Sequence, residues 1–392
     1  MNPPEMMDVY QKMIDVHHIS ALKCTTRRRL GDSSLGGAIM SNPTLHDVAQ
    51  AAGVSYATAD RVINNRGNVA QKSIDKVREA VTRLDYVRNV AAANLSRKRV
   101  YRIAFLIPKG TNAFFNRIRD HITQVAAHLS AESVSVDIYE VSAFSVEGLS
   151  DSIADFRQKD FDGVAIVGLQ SNVIEEPLAD LRARGIKVIG LVSDLPRDFR
   201  EAYIGIDNVV AGRTAARMTG MAHAGGRGAI QTFVGSLDAR DHAERLEGFR
   251  EVIAADFPKL TVLDPILTKD DPSILQAETD RLLAQQTDVT ALYNVGAGNS
   301  GLISAISAKP AQRPYCVVHE LVAHSRQALI AGQIDLVIDQ RPDVEINRAF
   351  AVLRALIDQR ETPAMPELTP TIYVRDNLPA DPLNEPMKDQ NT

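Results

Sequence analysis

The spacing of apolar residues changes at Tyr101, and that change divides the chain into two parts that fold differently. Between Thr44 and Leu84 apolar residues recur every three or four positions, the period of amphipathic helices. From Tyr101 onward, short β-rich runs alternate with helical segments. The predicted strands are Arg102–Ile107, Val134–Val141, Gly163–Val167, Ile186–Val192, Ala229–Val234, Thr290–Asn294, Tyr315–Val318 and Leu336–Asp339. Such alternation indicates parallel sheets covered by helices. We therefore expect an all-α head followed by an α/β body of two parallel-sheet lobes.

The composition is that of a folded, reduced protein outside the membrane. Apolar residues make up 45% of the 392 residues and charged residues 24%, which excludes a mostly disordered or fibrous chain. Cys24 and Cys316 cannot build a disulfide framework, and no apolar run approaches the roughly 20 residues that span a bilayer. Because a secretory signal is also lacking, we expect a cytoplasmic protein with no membrane partner. Residues 1–40 show no period and are predicted to be a disordered extension.

The overall net charge of −5 hides an asymmetry between the two parts. From Ser41 to Arg99 there are ten basic and five acidic residues, so this segment carries +5 and the remainder −10. A small basic module on a large acidic body suggests a nucleic-acid binder with a separate sensing or catalytic domain. A solvated helical surface would show the same charge, so this observation alone leaves both interpretations open.

Helix signals in the basic segment follow the order of a helix-turn-helix. Thr44 begins a capping box with Asp47, Gly53 begins a tight turn, and Ser55 can cap a second helix that runs to about Asn64. A third helix is indicated by the apolar residues Ile74, Val77, Val81 and Leu84. Two helices joined by a glycine turn and braced by a third form the DNA-reading arrangement. A small helical linker domain is the alternative.

The outer side of the second helix carries side chains suited to reading DNA. Arg61 can pair bidentately with a guanine edge, and Tyr56 can contact a base or a phosphate. The run from Thr44 to Asn64 resembles the DNA-binding head of the lactose-repressor family of transcription regulators, and the resemblance covers nearly all the rest of the chain. In this family a serine usually stands at the position of Asp60, whose carboxylate would repel a phosphate. The alternative role for Asp60 is to orient Arg61 or a neighbouring basic residue.

The resemblance implies a helix-turn-helix domain over residues 41–86 and a hinge helix over residues 87–100 that orders on operator DNA. Leu95 falls where the family places an apolar wedge for the minor groove, although an ordinary linker contact is the alternative. The predicted DNA contacts are Thr44, Ser55, Tyr56, Ala57, Thr58, Arg61, Asn64, Asn89 and Leu95.

The body, residues 101–392, resembles the ribose-type periplasmic sugar-binding proteins that this family carries behind its head. The resemblance implies eight effector contacts, most of them at predicted strand ends: Asn112, Phe114, Phe115, Asp194, Arg245, Asn294, Glu320 and Gln340. Aromatic rings cover the apolar side of a sugar, while amides and carboxylates bond its hydroxyls. Glu320 stands where the ribose binders have aspartate. Taken singly, Asp194, Arg245 and Glu320 could equally be surface ion pairs or helix caps.

A glycine motif supports a rival interpretation from another functional class. Gly296–Gly301 reads G-x-G-x-x-G after a strand, and Glu320 follows 19 residues later at the end of the next strand, as in a dinucleotide site. The alternative is therefore an NAD-dependent enzyme, although no catalytic constellation lies beside the motif. His319 and His324 imitate a zinc signature but are five residues apart, not four, so a metal site is rejected. A secreted sugar-capture protein would need an export signal and no DNA head.

The sequence thus predicts a transcription regulator, most simply a repressor, with no enzymatic activity and no cofactor. Two heads on a near-palindromic operator require two-fold symmetry, so we expect a homodimer or a higher oligomer. A small sugar or polyol is expected in the cleft between the lobes. The chain should cross between the lobes near Asn208, near Gln340 and after Thr371.

Overall fold

The computed structural model describes residues 43–63, 67, 69–84, 86, 100–110, 112–130, 133–156, 160–285, 288–310 and 313–380. Its contacts divide the chain into two compact units, and the boundary in sequence lies between Asn89 and Val90. The predicted extension over residues 1–40 and nearly all of the predicted hinge lie outside the described residues. So do three predicted DNA contacts: Asn64, Asn89 and Leu95.

The first unit is a three-helix head. Its helices are α1 (Leu45–Ala52), α2 (Tyr56–Ile63) and α3 (Gln71–Arg83). Gly53 ends α1 in the left-handed conformation at φ 63°, which favours glycine, and its amide donates to carbonyls of the last turn of α1. Small residues let the helices approach closely, and the buried core consists of Val48, Ala49, Ala52, Ala59, Val77 and Ala80. The predicted helical order of the head is therefore observed.

The second unit begins with a five-stranded parallel sheet, the first lobe. Its strands are β1 (Tyr101–Pro108), β2 (Val134–Val141), β3 (Gly163–Ile166), β4 (Lys187–Leu191) and β5 (Ala202–Ile204), in the spatial order β2-β1-β3-β4-β5. The connecting helices are α4 (Ala113–Leu129), α5 (Val146–Asp155) and α6 (Glu175–Ala183). From Ile103 to Ile107 every side chain is buried, because helices cover both faces of the sheet.

The second lobe is a seven-stranded sheet in the same unit. Its strands are β6 (Gly228–Val234), β7 (Leu260–Val262), β8 (Ile266–Leu267), β9 (Val289–Asn294), β10 (Tyr315–His319), β11 (Leu336–Asp339) and β12 (Thr371–Tyr373). The order is β12-β11-β10-β9-β6-β7, with β8 also paired to β6, and β12 alone is antiparallel to its neighbour. The helices of this lobe are α7 (Asn208–Ala222), α8 (Arg240–Asp256), α9 (Pro272–Ala284), α10 (Asn299–Ser307) and α11 (Ala323–Ile330), and α12 (Pro342–Ile357) follows β11 in the chain.

Three crossings join the two lobes. The first precedes α7 at Asn208, and the second follows β11, because α12 packs against α4, β3, β4 and β5 of the first lobe. These two crossings agree with the predicted positions near Asn208 and Gln340. The third was predicted after Thr371, which is wrong: β12 begins at Thr371 and already pairs with β11, so the chain returns before that residue. The short strands β5, β7, β8 and β12 were not predicted.

Among the described residues, no helix combines the length and the apolar character needed to cross a membrane.

Candidate nucleic-acid interface and ligand cleft

The start of α2 is fixed by a local cap. The Ser55 hydroxyl oxygen accepts a hydrogen bond from the Thr58 amide at 3.1 Å, and the two hydroxyl oxygens lie 2.8 Å apart. At α1, the Thr44 amide donates to the Asp47 carboxylate at 2.8 Å, and the Asp47 amide donates to the Thr44 hydroxyl at 3.3 Å. These bonds with Thr44 lower the pKa of Asp47. Three predicted DNA contacts, Thr44, Ser55 and Thr58, therefore hold the helix ends in place.

The remaining described DNA candidates form an exposed face on α2. Tyr56, Ala57 and Arg61 are all exposed, whereas Ala59 on the opposite side of the helix is fully buried. Tyr56 is 52% exposed, and its ring centre lies 5.9 Å from that of His46. Ala57 and Arg61 are one helical turn apart and so point the same way. The structure thus places three of the predicted DNA contacts together on one exposed surface.

In the second unit, strand ends from both lobes line two adjoining cavities of about 220 and 210 Å³. Asn112, Asp270 and Pro272 line both cavities. The larger one also contacts Phe115, Phe144, Ser193, Asp241 and His242, and the smaller one Phe114, Asn299, Glu320 and His324. Because ligands of open α/β folds bind beyond the carboxyl ends of the strands, this pair of cavities, here called the cleft, is the candidate ligand site.

Four of the eight predicted effector contacts line the cleft. The Asn112 side-chain oxygen accepts a hydrogen bond from the Phe114 amide at 2.9 Å and thereby caps α4. The rings of Phe114 and Phe115 meet edge to face, with centres 5.2 Å apart. Glu320 is buried and adopts a left-handed φ of 73°. A capped helix start thus presents an amide and two rings to the space that Glu320 faces from the other lobe.

Arg245, Asn294 and Gln340 are not lining residues of either cavity but are buried behind the cleft. Arg245 is 2% exposed; its Nε donates to the Asn208 oxygen at 2.9 Å and its Nη1 to the Val295 carbonyl at 3.0 Å. Its Nη2 lies 3.8 Å from Asp241 and has no hydrogen-bond partner among the described residues. The arginine therefore ties the crossing at Asn208 to the end of β9.

The two amide side chains of this group are also engaged with protein partners. Asn294 donates to the Ala297 carbonyl at 2.8 Å and to the Asn299 oxygen at 2.7 Å. Gln340 donates to the carboxylate of Glu320 at 2.6 Å. In both amides the side-chain oxygen is buried and has no donor among the described residues.

Asp194 lies elsewhere. Its carboxylate accepts hydrogen bonds from Arg200 at 2.7 Å and from the Leu195 amide at 2.8 Å, and it lies 3.6 Å from Arg240. It lines a separate cavity of about 660 Å³, with Arg200, Arg240 and Tyr203. Its predicted contact with an effector stays a prediction, and the structure supplies a different partner for it.

Sequence reasoning missed Asp270, which projects into the cleft after the two-residue strand β8. Its carboxylate accepts a hydrogen bond from the Ala297 amide at 2.9 Å, and desolvation of the enclosed carboxyl raises its pKa, opposed by the charge of His242. The only sequence signal was the run Lys269-Asp270-Asp271, which follows a strand too short to recognise. Sequence reasoning also missed Glu345, which lies fully buried in the first turn of α12.

Left-handed backbone conformations concentrate around the cleft. Val192, Lys269 and Asp270 have φ angles of 63°, 54° and 57°, and each lines the larger cavity. This region of φ is unfavourable for side chains with a Cβ, most of all for a β-branched valine. Such conformations persist where the surrounding structure enforces them and are frequent at ligand sites.

The glycine motif has a packing role that needs no dinucleotide. A Cβ on Gly296 would lie 2.3 Å from the Asp270 carboxylate, and one on Gly301 would lie 1.8 Å from the Pro272 carbonyl. The first glycine therefore admits the Asp270 side chain, and the second lets α10 approach α9. At the start of α10, the side-chain oxygen of Asn299 accepts a hydrogen bond from the Asn294 amide side chain. These contacts do not favour the NAD-dependent alternative.

The two histidines of the apparent zinc signature have different surroundings. The His319 ring nitrogen Nε2 lies 2.8 Å from the Tyr293 hydroxyl, and burial lowers the pKa of His319. His324 lines the smaller cavity. Within the described parts of the chain, no group of three or more histidine, cysteine, aspartate or glutamate side chains is placed to hold a metal ion.

Two family models match the chain. The model for the lacI family of bacterial regulatory proteins matches residues 44–89, and the model for the periplasmic binding protein domain matches residues 103–361. Helix α2 with its exposed face lies within the first match, and the second match runs from β1 to the residues after α12, so that it leaves out β12.

Curated relatives carry the names of regulators. The HTH-type transcriptional regulator DegA of Bacillus subtilis is 30% identical over 217 residues, which are 54% of this chain and 60% of DegA. Catabolite control protein A of Streptococcus mutans is 30% identical over 181 residues, 46% of this chain and 52% of that protein. The matched region thus spans between half and three fifths of each relative.

Solved structures share the fold of the body. An ABC transporter solute-binding protein from Burkholderia graminis, in complex with D-arabinose, superposes with a TM-score of 0.65 at 21% identity, covering 71% of this chain and 96% of that one. A putative LacI transcriptional regulator from Bacteroides fragilis gives a TM-score of 0.62 at 18% identity, covering 71% and 98%. The chain belongs to the proteins with a periplasmic binding protein domain, whose model matches more than half of its residues, and it carries this domain behind a head that matches the lacI family of bacterial regulatory proteins.

Proposed function

We propose that this protein is a cytoplasmic transcription regulator, most simply a repressor, whose affinity for operator DNA is controlled by a small sugar or polyol bound in the cleft. The observation that carries the proposal is that one chain joins the exposed α2 face of Tyr56, Ala57 and Arg61 to an α/β unit with a cleft between two lobes. The protein has no enzymatic activity in this account.

In the head, Arg61 reads a guanine and Tyr56 and Ala57 contact neighbouring base edges in the major groove. Thr44, Ser55 and Thr58 contact phosphates while they cap the helices. Asn64, Asn89 and Leu95 complete the interface, with Leu95 as a wedge in the minor groove. The family assignment supports these roles. Two such heads on a palindromic site imply a homodimer.

In the cleft, the rings of Phe114 and Phe115 cover the apolar side of the effector, and Asn112 and Glu320 bond its hydroxyls. Arg245, Asn294 and Gln340 contact the effector from the wall behind the cleft, and Asp194 is the eighth predicted contact. The structural likeness to a solute-binding protein that holds D-arabinose supports a sugar as the class of ligand. The glycine packing at Gly296 gives no support to a dinucleotide in its place.

Control of DNA binding requires that the effector bind two arrangements of the lobes with different affinity, since equal affinity would shift no equilibrium. Three crossings join the lobes, and Arg245 anchors the first of them through Asn208. A ligand that changes the bonds of Arg245 therefore acts directly on a segment that joins the lobes.

The proposal is tested by selection of duplexes from a random DNA pool with the full chain. We expect enrichment of two inverted half-sites, with centres separated by about one helical turn or a multiple of it. Arg61→Ala should weaken the enrichment and relax the selected sequence at one base position of each half-site, whereas Arg78→Ala, which removes an exposed arginine of the same charge from α3, should retain the selected sequence. Absence of any enriched sequence with the wild-type chain would contradict the proposed DNA reading.

A further inference from the structure

The wall behind the cleft has an excess of hydrogen-bond acceptors. This inner wall consists of Asp241, Arg245, Asn294, Glu320, Gln340 and Glu345, all at least nine-tenths buried. Six of its oxygen atoms have no donor among the described residues: Asp241 Oδ1, Asn294 Oδ1, Glu320 Oε2, Gln340 Oε1 and both carboxylate oxygens of Glu345. Buried polar groups are almost always paired, so six orphaned acceptors in one wall require an explanation.

These groups lie close to one another: two of them line the cleft, and the other four are buried behind it. Gln340 is 2.6 Å from Glu320, which lines the smaller cavity, and Asp241 lines the larger one. Arg245 lies 3.8 Å from Asp241 and bonds the residue after Asn294. Burial raises the pKa of Glu345, and the charges of Glu320, Asp339 and Asp241 raise it further, whereas Arg245 lowers it. The unpaired acceptors therefore form one surface around Arg245.

The protein supplies too few cations to this surface. Arg245 is the only basic member of the inner wall, and two of its three nitrogens already donate to Asn208 and Val295. Arg117 bonds Asp339 at 2.9 Å and the Leu321 carbonyl at 3.1 Å, so its charge is matched there. Lys109 and Lys269 line the larger cavity but are exposed. Glu320 and Glu345 are left without a cationic partner of their own.

We propose that the effector carries a protonated amine beside its hydroxyls, as an amino sugar or amino polyol does, and that this ammonium group binds at Glu320 and Glu345. An ammonium brings three donors and no acceptor, which matches the one-sided wall. A hydroxyl brings one donor and two acceptor positions, whereas the unpaired atoms of the wall among the described residues are six acceptors and one donor, the Arg245 Nη2. A sugar acid or sugar phosphate would place an anion against unpaired carboxyls, which is unfavourable away from water. This assignment rests on the proposed function and specifies the ligand class of the same cleft.

The proposal predicts that the affinity for an amine depends on pH, whereas the affinity for a neutral ligand would not show this dependence. Burial, together with the charge of Asp339, raises the pKa of Glu320 to about 8, opposed by Arg245, by the bond from Gln340 and by Arg117. Below that pH the free carboxyl is mostly protonated, and an arriving ammonium must displace the proton. Affinity for an amine should therefore rise by about tenfold per pH unit between pH 5.5 and 7 for each proton released.

The test uses calorimetry of the full chain with matched sugars: glucosamine, glucose and glucuronate, and the same three derivatives of galactose and mannose. We expect at least one amino sugar to bind ten times more tightly than its neutral and acidic counterparts, with affinity rising from pH 5.5 to 7. Proton release should appear as a dependence of the heat on the buffer. Equal or tighter binding of a neutral or acidic counterpart would overturn the amine assignment and leave a sugar-controlled regulator standing.

Two variants locate the amine. Glu320→Gln and Glu345→Gln should each reduce the preference for the amino sugar over its neutral counterpart by tenfold or more and weaken the pH dependence. Glu278→Gln is the matched control, because Glu278 pairs with Arg281 on the exposed side of α9. An unchanged preference in both cleft variants would overturn the assignment. So would failure of all nine sugars to bind a protein that still selects its duplex, in which case the DNA-reading proposal survives.

Discussion

The head and the cleft place their candidate contact residues in opposite environments. On α2, Tyr56, Ala57 and Arg61 are exposed, and the fold beneath them is held by small buried side chains. In the cleft, Arg245 and Glu320 are almost wholly buried and belong to the network that joins the lobes. An exposed contact residue of α2 such as Arg61 can therefore be removed without loss of fold. In the cleft, binding and stability share the same side chains.

The largest expected effect is on stability, in the cleft. Arg245→Ala would leave the Asn208 oxygen and the Val295 carbonyl buried without their donor and Asp241 without its ion-pair partner, which should lower the free energy of unfolding by about 3–5 kcal/mol. Urea denaturation followed by circular dichroism measures this loss. Arg213→Ala, which removes an exposed ion pair between α7 and Glu251 on α8, should lower the free energy of unfolding far less. Equal losses in the two variants would show that Arg245 has no special place in the lobe network.

The next effect is on DNA binding, in the head. Arg61→Ala should weaken binding to the selected duplex by about 1–3 kcal/mol, roughly 5- to 150-fold, and relax selectivity at one base position. The unfolding curve should not change, because the side chain is exposed. Anisotropy titrations at fixed salt provide the measurement, with Arg78→Ala as the control for loss of charge. A loss of stability without loss of selectivity would reverse the contrast between head and cleft.

A smaller effect concerns the cap of α2. Ser55→Ala removes the acceptor of the Thr58 amide and should destabilise the head by about 0.5–2 kcal/mol. Thermal unfolding of the full chain, with the head signal resolved by its separate transition, measures the change. Thr82→Ala is a suitable control, since its hydroxyl bonds only the Arg78 carbonyl within α3. If the two substitutions cost the same, Ser55 is not a structural cap and acts on DNA alone.

The smallest effect is a pH dependence at α1. The bonds with Thr44 lower the pKa of Asp47 below its ordinary value of 3.8, so the ionised carboxylate stabilises the fold above that pH. This contribution should disappear as the pH falls through the lowered value, and Asp47→Asn should remove the dependence. Thermal unfolding between pH 5 and 2.5 tests the sign. The opposite sign would contradict this account: a wild-type head that becomes more stable as the pH falls, while the Asp47→Asn variant does not.

Periodicity and caps predicted the head and most strands, because these signals are local in sequence. Thr44, Gly53 and Ser55 act within a few residues of their own positions. Strand ends likewise indicated which side chains meet at the cleft, and Asn112, Phe114, Phe115 and Glu320 do line it. Short strands were missed since two or three residues carry no measurable alternation.

What could not be predicted depends on contacts distant in sequence. Asp194 was expected in the cleft, but a turn at Pro196 brings Arg200 to its carboxylate. Arg245 was expected to bind ligand, but Asn208 and Val295 already occupy two of its nitrogens. Glu345 was missed because it starts an amphipathic helix, where a glutamate usually faces solvent. The chain crosses between the lobes near Gln340, and this long-range path brings the first turn of α12, with Glu345, into the inner wall.

The central claim is that occupancy of the cleft changes the affinity of the head for DNA. Its direct test is an anisotropy titration of the full chain against its selected duplex at fixed salt, with and without a saturating sugar whose binding calorimetry has established. We predict a change of at least fivefold in the Kd for DNA, corresponding to a coupling free energy of about 1 kcal/mol or more. Demonstrated binding of the sugar in the cleft with an unchanged Kd for DNA would contradict the account.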